Sequence, residues 1–66
     1  MILRAHAQQH GDSMSIEGTT VTSVNAAIAY VTSLEYAEWT FDWAEVLDRD
    51  RVIAEYDGDA WKDREP

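Results

Sequence analysis

The sequence predicts an α+β domain in which one helix packs on an antiparallel sheet of three or four strands, in the order β-α-β-β-β. Three observations lead to this fold class. Apolar residues recur at helical spacing over residues 24–34, whereas apolar and polar residues alternate over residues 2–8 and 37–43. The pair Asp57-Gly58 near the C-terminus is typical of a tight β-hairpin turn.

The N-terminal stretch predicts a first strand over residues 2–8. Leu3, Ala5 and Ala7 alternate with polar side chains, as in a strand with one buried face. A turn is expected at residues 11–13, because glycine, aspartate and serine cluster there. Residues 14–16 continue as a second, short extended segment that ends at Gly18.

The helix is expected to begin after Ser23, whose hydroxyl group suits an N-cap because it accepts from a free amide of the first turn. The apolar stripe that follows consists of Val24, Ala27, Ile28, Val31 and Leu34. Such a stripe requires a covering layer, and a sheet is the natural partner.

Residues 36–47 fit two structures. As a strand, they place Trp39, Phe41 and Trp43 in the core and direct Glu38 and Asp42 to solvent. As a helix, they place on one side Tyr36, Trp39, Trp43 and Val46. The strand is favoured because aromatic residues dominate the segment, and a short helical turn over residues 43–47 stays compatible with it.

The C-terminal third predicts a hairpin. A charged turn at residues 48–50 precedes a strand over residues 52–56. Asp57 and Gly58 are expected to form the two-residue turn, with positive φ at both positions. Residues 60–62 then return as a short last strand, and residues 64–66 form a tail.

Length and composition indicate a single small domain spanning residues 1–66. The chain has no cysteine, so disulfides and thiolate metal sites are excluded. No apolar stretch approaches the roughly 18 residues of a membrane span. Residues 1–10 lack the apolar region of a secretory signal, and we therefore expect a cytoplasmic protein.

Charge is the strongest compositional feature. The chain has 13 acidic and 5 basic residues and a formal net charge of −8. Most of the acidic residues, and all three tryptophans, lie after position 34. Nucleic acids and anionic membranes would repel such a chain, whereas a basic protein surface would attract it. Colloidal solubility is the alternative explanation for the acidity.

Catalytic and metal-binding motifs are absent from the sequence. His6, His10 and Asp12 are the one metal-like group, but they fall on a predicted strand and turn, and a zinc site needs three or four ligands. No nucleophile motif or phosphate-binding loop occurs. We therefore expect neither enzymatic activity nor a cofactor nor a metal.

The C-terminal segment Ala54-Glu55-Tyr56-Asp57-Gly58-Asp59-Ala60-Trp61 resembles a Tyr…Asp-Gly…Trp hairpin among small phage-encoded anti-CRISPR proteins. The resemblance extends over residues 19–63 as the pattern helix, strand, hairpin. It implies an inhibitor of a type I CRISPR surveillance complex (Cascade), acting in the host cytoplasm. Steric block and DNA-like negative charge would then occlude the DNA-recognition surface of a Cas subunit.

That resemblance implies a partner-binding set, with carboxylates pairing to lysine and arginine and with aromatic anchors. Its members are Glu38, Asp42, Glu55, Tyr56, Asp57, Asp59 and Trp61. Two alternatives stay open. One is an acidic inhibitor of another nucleic-acid-binding protein, such as a restriction enzyme or a repressor. The other is a neutral interaction module such as an antitoxin. The chain itself is expected to be a monomer or a weak homodimer.

Overall fold

The computed structural model describes residues 1–64 and shows one helix packed on a five-stranded antiparallel sheet. The α+β class is thereby confirmed, but the expected three or four strands and the order β-α-β-β-β were wrong. The strand order across the sheet is β2-β1-β3-β4-β5. The elements are β1 (Ile2–Gln9), β2 (Asp12–Thr20), α1 (Val24–Tyr36), β3 (Thr40–Asp48), β4 (Arg51–Tyr56) and β5 (Trp61–Asp63).

The additional strand is β2, which the sequence predicted only as a short segment ending at Gly18. It continues past Gly18 to Thr20 and pairs with β1 from Gln9↔Asp12 to Ile2↔Thr20. A two-residue turn joins the strands, with φ of 47° at His10 and 86° at Gly11. Positive φ at both central residues gives the turn the twist of the flanking strands, so the hairpin closes tightly.

Helix α1 begins where the sequence predicted. The Ser23 hydroxyl group accepts a 3.0 Å hydrogen bond from the Ala26 amide, which confirms the N-cap. Ala27 and Val31 of the predicted stripe are fully buried against the sheet. The helix ends in a Schellman motif, because Glu38 has φ of 72° and the Trp39 amide donates to the Leu34 carbonyl.

The segment that fitted two structures forms strand β3, which starts at Thr40, later than expected. Trp39 precedes it and packs partly buried at the margin of the core. A bulge shifts the register with β1 between His6↔Trp43 and Ala7↔Phe41, so two consecutive residues of β3 are exposed. Phe41 is therefore buried as predicted, whereas Trp43 is 41% exposed and its expected core position was wrong.

The two C-terminal connections differ from the turns that the sequence predicted. The tight two-residue turn lies between β3 and β4, where Arg49 and Asp50 have φ of 52° and 66°. Between β4 and β5 the chain uses residues 57–60, because Tyr56 pairs with Trp61. Of the predicted pair only Gly58, with φ of 94°, has positive φ, so the two-residue Asp57-Gly58 turn was wrong.

The core lies between α1 and one face of the sheet. Its largest fully buried side chains are Leu3, Val31 and Val46. Small side chains fill much of the remainder, which lets the helix approach the sheet closely; they are Ala5, Ala7, Ala27, Ala44 and Ala54. No helix in the part of the chain that the structure describes has the length and apolar character to cross a membrane. Positions 65–66 of the predicted tail lie outside the described residues.

Candidate functional site

One end of the domain concentrates negative charge. The β1–β2 turn, the C-terminus of α1 and the β4–β5 loop meet there. The acidic side chains of this region, which we call the acidic end, are Asp12, Glu35, Glu38, Asp42, Asp57 and Asp59. Of the five Lys and Arg residues, Lys62 lines a cleft with Asp42 and Asp57, and the other four lie on the sheet, just after β5 or in the turn at the opposite end. The α1 C-terminus adds the negative pole of the helix dipole.

Asp42 holds the central position of the acidic end. Its carboxylate accepts hydrogen bonds of 3.2 and 2.9 Å from the Gln8 amide and lies 2.6 Å from Nδ1 of His6. These contacts, first Gln8 and then His6, lower the pKa of Asp42 below its ordinary value. Asp42 is the additional residue of the β3 bulge and is exposed beside Trp43.

Two open clefts meet at Asp42 and bring several predicted site residues together. One cleft, of about 410 Å³, is lined by Asp42, Glu38 and the β1–β2 turn. The other, of about 390 Å³, is lined by Asp42, Asp57 and residues of β3 to β5. The structure therefore places Glu38 and Asp57 on either side of Asp42, although Glu38 lies in the helix cap and not on a strand as expected.

Asp57 organises the β4–β5 loop. Its carboxylate accepts from the Ala60 amide at 3.0 Å and from the Asp59 amide at 2.9 Å. These two bonds, the one from Ala60 first, lower the pKa of Asp57. The loop holds the exposed Asp59 beyond the edge of the sheet. The Asp57 carboxylate therefore stabilises the loop and also carries a surface charge. Asp59 contributes its main-chain amide to this bonding, and its side chain is exposed.

Glu38 lies beside the β1–β2 turn. Its carboxylate is 3.7 Å from Nε2 of His10, and both side chains are about three-quarters exposed, at 77% and 75%. Histidine is an ion-pair partner of a carboxylate only when it is protonated.

The two predicted aromatic anchors point toward the helix side of the sheet. Tyr56 is only 8% exposed, and its ring stacks on Trp61 with centroids 5.0 Å apart. The Tyr56 hydroxyl donates its one proton to Glu35 at 2.6 Å, and its oxygen also lies 3.1 Å from the Gly58 carbonyl oxygen. The Tyr56 ring therefore offers a partner almost no surface, and Trp61 offers the remainder of a half-buried ring.

Glu55 lies apart from the acidic end, on the sheet face opposite the helix. We call this surface the outer face; its central side chains are Arg4, His6, Trp43, Glu45, Glu55 and Lys62. Arg64 contacts Glu55 at 3.1 Å, and Arg4 lies 3.6 Å from Glu45. Basic neighbours thus offset the charge of both glutamates, which weakens Glu55 as a mimic of a phosphate.

Trp43 is the surface residue that sequence reasoning missed. It stands on the outer face because the β3 bulge reverses the alternation after Phe41. The residues that follow Trp43 carry the sequence signal for this bulge. Ala44 and Val46 are buried, and they alternate in the opposite phase to Phe41. Two alternating patterns that are out of phase within one strand indicate a bulge between them.

Within residues 1–64, no group of three or more His, Cys, Asp or Glu side chains is placed to hold a metal ion. His6 faces Asp42 and His10 faces Glu38, so the two histidines belong to separate pairs. No protein family, curated protein or solved structure matches the chain.

Proposed function

We propose that this chain acts by binding, without catalysis, as an inhibitor of a basic nucleic-acid-binding protein. The target we propose is the DNA-recognition surface of a type I CRISPR surveillance complex in the cytoplasm of a phage's host. The observation that supports the proposal is the acidic end, where six carboxylates gather and Lys62 is the one Lys or Arg residue of the described chain that lines a cleft with them.

The physical basis is competition for a surface that holds DNA. A groove lined with lysine and arginine binds DNA through its phosphates, and a compact carboxylate cluster occupies the same groove. The lowered pKa values of Asp42 and Asp57 keep both groups ionised well below neutral pH. Long-range attraction between unlike charges speeds the encounter and excludes partners of the wrong sign.

The contact set we propose is narrower than the one the sequence suggested. Glu38, Asp42 and Asp59 are exposed at the acidic end and are the groups best placed to meet basic side chains. Asp57 shapes the loop between them, and Tyr56 supports it from within. Another nucleic-acid-binding target, such as a restriction enzyme or a repressor, would use the same surface.

The test is a gel-shift titration of target DNA with a purified type I surveillance complex in the presence of this protein. Wild-type protein should prevent DNA binding. The double variant Glu38→Asn, Asp59→Asn should need about tenfold more protein for the same inhibition, because two interfacial charges are lost. Asparagine suits the positive φ of position 38, so the fold is retained.

A matched control removes the same number of charges at the opposite end. Asp50→Asn, Asp63→Asn also alters one position of positive φ, because Asp50 has φ of 66°. This variant should inhibit as wild type does. Equal losses in the two double variants would show that net charge, and not the acidic end, governs binding. Unimpaired DNA binding with wild-type protein would reject the CRISPR complex as the target.

A further inference from the structure

The sheet has one covered face and one open face. Helix α1 covers the inner face, whereas within residues 1–64 no element crosses the outer face. Exposed apolar side chains occur there: Trp43 is 41% exposed and Ile2 is 37% exposed. Leu47 and Val52, partly exposed, continue a cross-strand row with Ile2. An uncovered apolar sheet face is typical of an interaction surface.

Apart from Asp42, which contacts His6, the charges of this face balance, unlike those of the chain as a whole. Arg4, Glu45, Glu55 and Lys62 form one continuous cross-strand row, in the order basic, acidic, acidic, basic. Arg64 pairs with Glu55, and Glu17 lines a cleft beside Arg4. Two copies that each carry a net charge of −8 repel one another, so self-association requires a locally neutral surface. The outer face is such a surface.

The outer face carries an exposed ring that lies between two clefts. Trp43 lines two clefts, one of about 390 Å³ toward β5 and one of about 270 Å³ toward β2. A projecting ring flanked by clefts can insert into the equivalent cleft of a second molecule while receiving the ring of that molecule. This reciprocal contact is what a two-fold, isologous interface requires.

The area of the outer face agrees with a dimer interface. The domain has extents of 36 × 20 × 15 Å, so its broadest face has a projected area of roughly 700 Å². This is of the same order as the ~800 Å² that each partner contributes to a stable complex. A domain of this length also buries little of its own surface and gains stability from association.

We propose that the outer face binds a second copy of this chain, so that two sheets pack face to face with a helix on each outside. Of the acidic end, Asp42 and Asp57 line the larger cleft beside Trp43 and therefore border this interface, whereas Glu38 and Asp59 line neither cleft. The dimer does not rest on the proposed inhibitory function, because the observations behind it are those of the outer face.

The test is the molar mass of the purified protein, measured by sedimentation equilibrium up to roughly 0.5 mM, a range that detects weak dimers. We expect wild-type protein to approach twice 7.5 kDa. The variant Trp43→Lys, Val52→Lys should stay monomeric, with its dissociation constant raised at least about tenfold, because truncating a central tryptophan has large effects. Both substitutions make the chain less acidic, so repulsion between the net charges of two copies cannot explain the loss.

The control variant Tyr30→Lys, Tyr36→Lys introduces the same charges on the helix, where Tyr30 is 40% exposed and Tyr36 86% exposed. It should dimerise as wild type does. Circular dichroism reports whether each variant folds, and the milder Ile2→Lys replaces the outer-face double variant if that one does not. A wild-type mass of 7.5 kDa throughout, or a dimer that survives the outer-face substitutions, overturns the proposal.

Salt supplies a second measurement. Added salt screens the repulsion between two negative molecules, so dimerisation should strengthen as ionic strength rises. Binding of a basic partner to the acidic end should weaken over the same range. A dimer that dissociates on adding salt would mean that unlike charges hold it together, which contradicts a neutral interface.

Discussion

The hydroxyl group of Tyr56 donates a 2.6 Å hydrogen bond to Oε2 of Glu35, which joins the end of β4 to the last turn of α1. The bond to Glu35, followed by burial of the phenol, raises the pKa of Tyr56 to about 12. The contact links the two layers of the fold directly beneath the loop that holds Asp57 and Asp59. Its loss should therefore loosen the acidic end as well as the core.

Tyr56→Phe removes this hydrogen bond and keeps the ring that stacks on Trp61. We expect the free energy of unfolding to fall by about 1–2 kcal/mol at neutral pH, as for a hydrogen bond to a charged group. Urea unfolding measures the change. Tyr36→Phe is the matched control, because Tyr36 is 86% exposed and should give no measurable difference.

The variant Tyr56→Phe also tests how the free energy of unfolding depends on pH in the alkaline range. The folded state holds the Tyr56 proton more tightly than the unfolded state, whose value is near the ordinary 10.0. Its contribution is complete below that pH and is lost as the pH rises toward 12. The stability gap between wild type and Tyr56→Phe should therefore close over this interval. A constant gap would show that the pKa of Tyr56 is not raised by folding.

Gly58 is required where the β4–β5 loop passes over the start of β3. Its φ is 94°, and a Cβ atom at this position would lie 2.5 Å from the carbonyl oxygen of Phe41. Gly58→Ala should destabilise the fold by about 2–3 kcal/mol, because backbone strain and a steric clash with the main chain add. Thermal unfolding measures the effect.

Gly11 provides the comparison that separates these two causes. It also has positive φ, of 86°, but a Cβ there would meet nothing within 4 Å. Gly11→Ala should therefore lower the free energy of unfolding only by the cost of positive φ, about 1 kcal/mol. Equal losses at positions 11 and 58 would mean that the approach to Phe41 contributes nothing.

The sequence predicted the elements whose signals are local. Ser23 and the stripe that contains Ala27 and Val31 define α1 within a few turns of chain, and the structure confirms both. Strand β2 was largely missed because Ile16 is its one buried residue. What holds β2 in place is its ladder to β1, and pairing with a distant strand leaves little trace in the composition of the strand itself.

The bulge in β3 explains most of the remaining errors. A single additional residue moves Trp43 to the outer face and brings Ala44 and Val46 into the core. Alternation alone had placed Trp43 inside, because a period of two assumes an unbroken ladder. The loop over residues 57–60 was missed because the Asp57 carboxylate, bonded to the Asp59 and Ala60 amides, replaces the tight turn that Asp-Gly usually forms.

Of the candidate site, the sequence predicted the charged members better than the aromatic ones. Exposed carboxylates such as Glu38 and Asp59 follow from charge alone. Which side of the sheet an aromatic ring occupies depends on register, and registers are set by pairing across strands. Tyr56 was proposed as a partner-binding anchor and is buried, whereas Trp43 was expected in the core and is exposed.

Asp42 makes the acidic end sensitive to acid. Because its pKa is lowered by Gln8 and then by His6, the folded state binds its proton less readily than the unfolded state. The resulting stability is present above the ordinary value of 3.8 and is lost as the pH falls through the lower folded value. We expect the melting temperature of Asp42→Asn to fall less than that of wild type between roughly pH 5 and pH 2.

Gln8→Ala tests the cause of this shift. It removes the larger of the two contacts and leaves the carboxylate in place, so the pKa of Asp42 should rise and the acid loss should become smaller than in wild type. NMR titration of the Asp42 carboxyl carbon reads the pKa directly in both proteins. If the pKa of Asp42 is the same in Gln8→Ala as in wild type, the hydrogen bond from Gln8 does not lower it. His6 would then be the contact that keeps the Asp42 carboxylate ionised.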